Sequence, residues 1–337
     1  MQMLKNKVKQ SALRVLRSTG AYKRAADSPA RREKLLILCY HGLALRDEHE
    51  WAGHLFITPE RFRARLQCLR DVNANVLPLA EAVKRLQAGT LPPRSVALTF
   101  DDGFYDFFRH GVPILNEFGV PCTLYLTTYY SGRPFPIVNL VLDYLIWKSG
   151  LAEIAFPEAD IIDPIAITGW QARMDVVRRL LDWFERHEFS TGQKNDFACS
   201  VAQRFGIDYD DLSRSRMLQI MTPDEACAIA RAGVDIQLHT HRHRTPRDRD
   251  LFLREIRDNR ERIQAISGRE PTHFCYPSGV YADEFLPWLR EAGVNTATTC
   301  ERGFARRTSE PLRLPRLLDD SNMSQLQFEA FVSGVLS

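Results

Sequence analysis

The sequence predicts an α/β fold with parallel strands covered by helices, and three observations carry that expectation. Short apolar runs stop abruptly at polar residues or glycine, as in Leu35 to Tyr40 before His41-Gly42 and Ser95 to Phe100 before Asp101-Asp102-Gly103. Segments of helical period alternate with these runs, the pattern of strands crossing over through helices. The alternation lapses over residues 131–220, which read as helices and loops, and resumes beyond them.

Element by element, Leu35 to Tyr40 reads as a buried strand. Thr58-Pro59 starts a helix, with Thr58 as cap and Pro59 at the first helical position, and Phe62, Leu66 and Leu69 continue it at core spacing. A short strand is expected near Val76 to Leu79, then a helix to Leu86 closed by Gly89. The run ending in Phe100 is a strand, a helix follows around Gly111 to Phe118, and Val120 to Thr127 is a further strand. Helical segments near 137–149, 170–188 and 193–205 fill the insertion. Thr222 caps a helix from Pro223 to Ala232, and Val234 to Leu238 is a strand. A helix from Asp248 to Ile266 stops at Gly268, strands follow at Thr272–Cys275, near Thr296–Thr299 and near Leu312–Leu314, and a helix spans Glu284 to Ala292.

With 337 residues, 45% apolar, the chain can bury one large core with an elaboration. A formal net charge of +3 gives no reason to expect nucleic acid as a partner. Seven scattered cysteines without a CxxC pair argue against a disulfide framework and for a reducing compartment. No long apolar run opens the chain, so the expected location is cytoplasmic. Residues 1–34 form a distinct basic leader with ten Lys and Arg against Asp27 and Glu33. Within it Leu4, Val8, Ala12, Val15 and Leu16 recur at helical spacing, so the leader is either a solvated arm or an amphipathic helix on an anionic membrane surface, at the inner face.

Asp101 and Asp102 stand at a strand end, where α/β enzymes gather their active sites. Two adjacent carboxylates repel unless one meets a cation or a proton, although Asp-Asp-Gly is also an ordinary turn. His239-Thr240-His241-Arg242-His243 holds three of the nine histidines, likewise after a strand. One helical turn would bring His239 and His243 to one ion, extended backbone would align all three imidazoles, and a solvated basic loop is the plain alternative. Two imidazoles and a carboxylate form a known ligand set for catalytic zinc, with positions left for water.

These motifs resemble those of the NodB-homology polysaccharide deacetylases, carbohydrate esterase family 4. The likeness rests on Thr99-Phe100-Asp101-Asp102-Gly103, on His239-Thr240-His241-Arg242-His243 and on Phe274-Cys275-Tyr276-Pro277-Ser278-Gly279, and it covers about residues 35–130 and 221–317. It implies a distorted (β/α) barrel, here over residues 35–337 with the helical insertion at about 131–220. It further implies a divalent ion, usually zinc, on Asp102, His239 and His243, with Asp101 as general base. Tyr276, Pro277, Ser278 and Gly279 would line the groove, Ser278 lending a backbone N–H to the oxyanion. The implied reaction is hydrolysis of an N-acetyl amide on a hexosamine in a glycan or glycan precursor, as in members linked to exopolysaccharide or cell-surface glycan assembly.

Two departures stand out. Cys275 occupies a position where the family usually carries an Arg that orients the base, and Arg316 is the candidate to replace it from the last strand. The late Leu-x-His that supplies the general acid has no match near residues 312–320, which leaves His41 as the candidate active-site histidine. Rival readings are a deformylase or deacylase of a glycolipid sugar, and a glycan-binding protein on a decayed enzyme fold. Trp147, Trp170 and Trp183 in the insertion are expected in its core rather than as sugar platforms.

Overall fold

The computed structural model describes residues 2–336. Seven parallel strands close into a barrel: β1 (Lys34–Tyr40), β2 (Ser95–Asp102), β3 (Thr123–Leu126), β4 (Asp235–Leu238), β5 (His273–Cys275), β6 (Thr296–Arg302) and β7 (Leu314–Leu318). Each pairs with the next, and β7 closes on β1 through Leu38 opposite Leu317. The distorted (β/α) barrel is therefore the observed architecture. The last strand starts two residues later than the sequence suggests, because Pro311–Arg313 coil into a single turn capped by Glu310.

Strand alternation sorts the core into two phases. Leu35, Ile37, Ala97, Tyr125, Cys275 and Leu314 point inward. Leu36, Leu38, Tyr40, Val96, Leu98 and Phe100 point outward into the helical layer. The helix Leu79–Ala88 joins the inner phase through Leu79, Ala82, Val83 and Leu86, so it plugs the barrel rather than covering it.

The outer layer includes α1 (Gln2–Ser18), α2 (Pro59–Asp71), α3 (Pro223–Arg231), α4 (Arg249–Ser267) and α5 (Gln325–Ser333). Thr58 caps α2 and Thr222 closes a capping box on α3, each satisfying a free amide of the first turn. Arg65 of α2 is buried and clamps Asp319, just past β7, through Nε at 2.9 Å and Nη2 at 3.0 Å, while Tyr40 donates to the same carboxylate. Arg65→Met should therefore lower the unfolding free energy by about 3–5 kcal/mol, since it strands a buried carboxylate. Urea denaturation followed by circular dichroism measures it.

Between β3 and β4 the insertion forms helices Val138–Ser149, Trp170–Arg186, Thr191–Arg204 and Tyr209–Ser215. It also holds an antiparallel pair, Glu153–Phe156 against Ile161–Ala166, which helical periodicity did not reveal. Arg173 ties the insertion down, donating to Asp143 at 2.6 Å and to the Trp51 carbonyl at 3.1 Å. Trp147 and Trp183 pack on the core, whereas Trp170 remains 46% exposed, contrary to the expectation for it.

Candidate metal and catalytic site

The carboxyl ends of the strands open into a cavity of about 380 Å3 bordered by His41, Asp101, Asp102, His239, His243, Tyr276 and Ser278. A larger cavity of about 660 Å3 lies against the leader and α2, remote from this cluster. Of the ten non-glycine residues with positive φ among those described, four belong to the site: Asp102, Thr240, His243 and Ser278. Such backbone is costly and is kept where the surroundings over-determine it, which is typical of functional positions.

At the end of β2 the chain turns sharply. Asp101 keeps the inward phase of the strand, while Asp102, at φ 71°, swings to the rim. Gly103 (φ 88°) makes the turn possible, and a Cβ there would meet Leu126 at 2.3 Å. The two carboxylates thus serve different partners.

Asp102 Oδ1 lies 3.2 Å from Nε2 of His239 and 3.1 Å from Nε2 of His243. The three donor groups all come within 4.8 Å of one another. Nδ1 of His239 sits 2.9 Å from the Cys275 carbonyl, which can only accept, so Nδ1 carries the hydrogen and Nε2 faces the carboxylate. A neutral ring in that pose aims a lone pair at an anion, which is repulsive unless a cation or proton lies between. The donor set therefore fits a divalent ion such as zinc. Burial alone would raise the Asp102 carboxyl, but His243 and His239 outweigh it and hold it well below the usual range. His243 shifts upward, burial being overcome by the same carboxylate.

The histidine segment is neither helical nor extended. Left-handed Thr240 and His243 fold it back, so His239 and His243 converge while His241 turns away to Thr128 Oγ1 at 2.9 Å. That rules out three imidazoles on one face. A layer not anticipated from sequence supports the fold-back. Asn259 of α4 accepts the His239 N–H at 2.9 Å and donates to the Leu126 carbonyl at 3.0 Å and to Thr128 Oγ1 at 2.9 Å. Glu255, one turn earlier and buried, accepts from the Arg242 amide at 2.7 Å and from the Arg242 and Arg244 guanidiniums.

Asp101 lies deeper and its partner is Arg316. Nη1 donates to Oδ1 at 2.8 Å and Nη2 to Oδ2 at 2.7 Å, a bidentate pair inside the barrel. The Cys275 and Cys39 thiols approach the same Oδ2 at 3.4 and 3.6 Å, and Arg316 Nη2 reaches Cys275 Sγ at 3.0 Å. A long side chain from β7 thus fills the space beside the small residue at 275. Burial would raise the Asp101 carboxyl, but Arg316 outweighs it and keeps the group ionised through the acid range. Arg316 itself is 1% exposed and does not border the cavity, which it reaches only through Asp101.

His41 follows β1 and borders the cavity, with Nε2 3.9 Å from Asp101 Oδ2. Its buried Nδ1 has no hydrogen-bond partner, and burial lowers its pKa. Gly42 is required next to it, since a Cβ would meet the Phe56 ring at 2.3 Å. In the Pro277–Gly279 turn only Ser278 borders the cavity, and Tyr276 does so with its hydroxyl committed to the Leu312 carbonyl at 2.9 Å. Pro277 and Gly279 shape the turn and do not themselves border this cavity. The insertion contributes Ile137, Leu140 and Ile220, which together with Leu55 and Phe104 give the cavity an apolar wall, and it adds the polar Asn139.

The sequence model of the family described as polysaccharide deacetylase matches residues 88–173 and 183–297, more than half of the chain. Poly-beta-1,6-N-acetyl-D-glucosamine N-deacetylase of Staphylococcus epidermidis is 32% identical over 86 residues, 25% of this chain and 30% of that protein. The protein of the same name from Staphylococcus aureus is 27% identical over 77 residues, 23% of this chain and 27% of the other. The match thus spans less than a third of these relatives' length. Among solved structures, Streptococcus pyogenes deacetylase PplD in complex with acetate superposes with a TM-score of 0.57 at 19% identity, covering 87% of this chain and 96% of that one. IcaB from Ammonifex degensii gives 0.58 at 16% identity, covering 89% and 97%. At these identities the structures speak for the fold.

Proposed function

Because this chain belongs to the polysaccharide deacetylase family, we propose that it hydrolyses the N-acetyl amide of a hexosamine in a polysaccharide, oligosaccharide or lipid-linked glycan precursor. The observation that carries this reading is the division of labour between adjacent carboxylates, Asp102 on two imidazoles and Asp101 on a guanidinium, at the floor of one cavity. The names of the Staphylococcus relatives make a β-1,6-linked N-acetylglucosamine polymer the first substrate to try.

Asp102, His239 and His243 would hold a divalent ion, zinc by the chemistry of the donors. When bound, such an ion supplies Lewis acidity that polarises an amide carbonyl and acidifies water at neutral pH. Asp101, already ionised and aimed by Arg316, takes the proton of the attacking water. The N–H of Ser278, at the cavity edge, donates to the acyl oxygen as charge develops there. His41, whose Nε2 lies 3.9 Å from Asp101 Oδ2, passes the proton that Asp101 has taken from the water on to the departing amine. The apolar wall excludes water and receives the acyl methyl; its breadth also allows a different acyl group on a glycolipid sugar.

Acetate release from a β-1,6-linked N-acetylglucosamine oligomer tests the reading, with formylated and longer N-acylated sugars run beside it. Turnover should appear with added zinc and vanish with a chelator. Stoichiometric metal without turnover on any of these sugars would favour the decayed binding protein instead.

A further inference from the structure

We propose that α1 is a peripheral membrane anchor, laying Val8, Ala12, Val15 and Leu16 into the interface of a bilayer that carries anionic headgroups. The helix docks on the body by the side one would expect to face water. Leu13 is buried with Tyr22 against Ala330 of α5, Gln10 bonds Ser324 and Gln327, and Arg17 pairs with Glu329 at 2.8 Å. The opposite side is left without a partner. Val8 is 64% exposed, Val15 60% and Leu16 39%, with Ala12 exposed between them. Positions 8, 12 and 15 follow the helical repeat, so these side chains form one stripe. Three of the eight large exposed apolar residues among those described lie here.

Charge selects the occupant. The α1 sequence has five Lys and Arg, of which Arg17 is taken up by Glu329, and no Asp or Glu, and exposed Lys23 and Arg24 follow the helix directly. A helix of this kind binds by burying its apolar stripe at the headgroup boundary while its basic residues meet anionic lipid. A second copy of the chain fits poorly, because a two-fold contact would set one basic helix against another. No described helix is long and apolar enough to cross a membrane, so the attachment is to the surface. It does not depend on the chemistry at the cavity.

The test uses the full chain with vesicles of phosphatidylcholine mixed with phosphatidylglycerol, and with vesicles of phosphatidylcholine alone. Co-sedimentation should favour the anionic vesicles and weaken as salt rises. Val8→Asp with Val15→Asp should reduce it at least roughly tenfold. Leu13 is untouched, so the melting temperature should hold. No binding to anionic vesicles, binding that ignores both salt and the double substitution, or a concentration-dependent dimer abolished by that substitution would each overturn the proposal.

Discussion

Asp101→Asn should lower kcat by about 10²–10⁴-fold, the range a positioned general base contributes. An amide cannot accept the proton that the carboxylate is held to receive. Its NH2 would also face one arm of the Arg316 guanidinium, where the parent offers two acceptors at 2.7 and 2.8 Å. Some stability is therefore lost as well, and a melting curve separates that loss from the loss of turnover. Metal content should persist, since Asp102, His239 and His243 are unchanged. Activity within a few-fold of the parent would remove Asp101 from the reaction.

Arg316→Met is expected to act on both folding and pH dependence. It leaves Asp101 buried without its cation, a change that costs about 3–5 kcal/mol at neutral pH. In the parent the depressed Asp101 pKa means that the pair stabilises the fold above pH about 4, a contribution lost only as pH falls into the strongly acidic range. Without Arg316, burial is opposed only by the weaker pull of His41 and His239, and the carboxyl rises. Stability is then lost as pH rises from about 4 through the new pKa, and the acid limb of activity moves upward. Cys275→Arg in the same background should bring the limb back down, because Cys275 Sγ already lies 3.0 Å from Arg316 Nη2. A pH profile unchanged by Arg316→Met would show that the guanidinium does nothing for the base.

What sequence reveals here is whatever lies on contiguous residues. Continuous apolar runs mark β1 and β2 because strands buried on both faces need no alternation, and the polar residues that end them mark the rim. Asp101 with Asp102, and His239 with His243, were legible for that reason. The supporting layer was not. Arg316 meets Asp101 from 215 residues away, and only the departure at Cys275 pointed to it. Asn259 and Glu255 are four apart on the buried face of α4, among Phe252, Ile256 and Ile263. Polar residues on an apolar stripe were the available signal. The fold-back of His239–His243 depends on left-handed backbone at Thr240, a residue type with no preference for it. The plug helix has an ordinary amphipathic pattern, and only closure of the sheet decides that its apolar face enters the barrel.

Metal analysis of the purified chain, parent beside His239→Ala, is the decisive measurement for the site. The parent should hold one divalent ion per chain after dialysis, and His239→Ala should lose it together with turnover while remaining folded. A parent that binds no divalent ion when zinc is supplied, or a His239→Ala variant that keeps its ion, would contradict the assignment of Asp102, His239 and His243 as the metal centre.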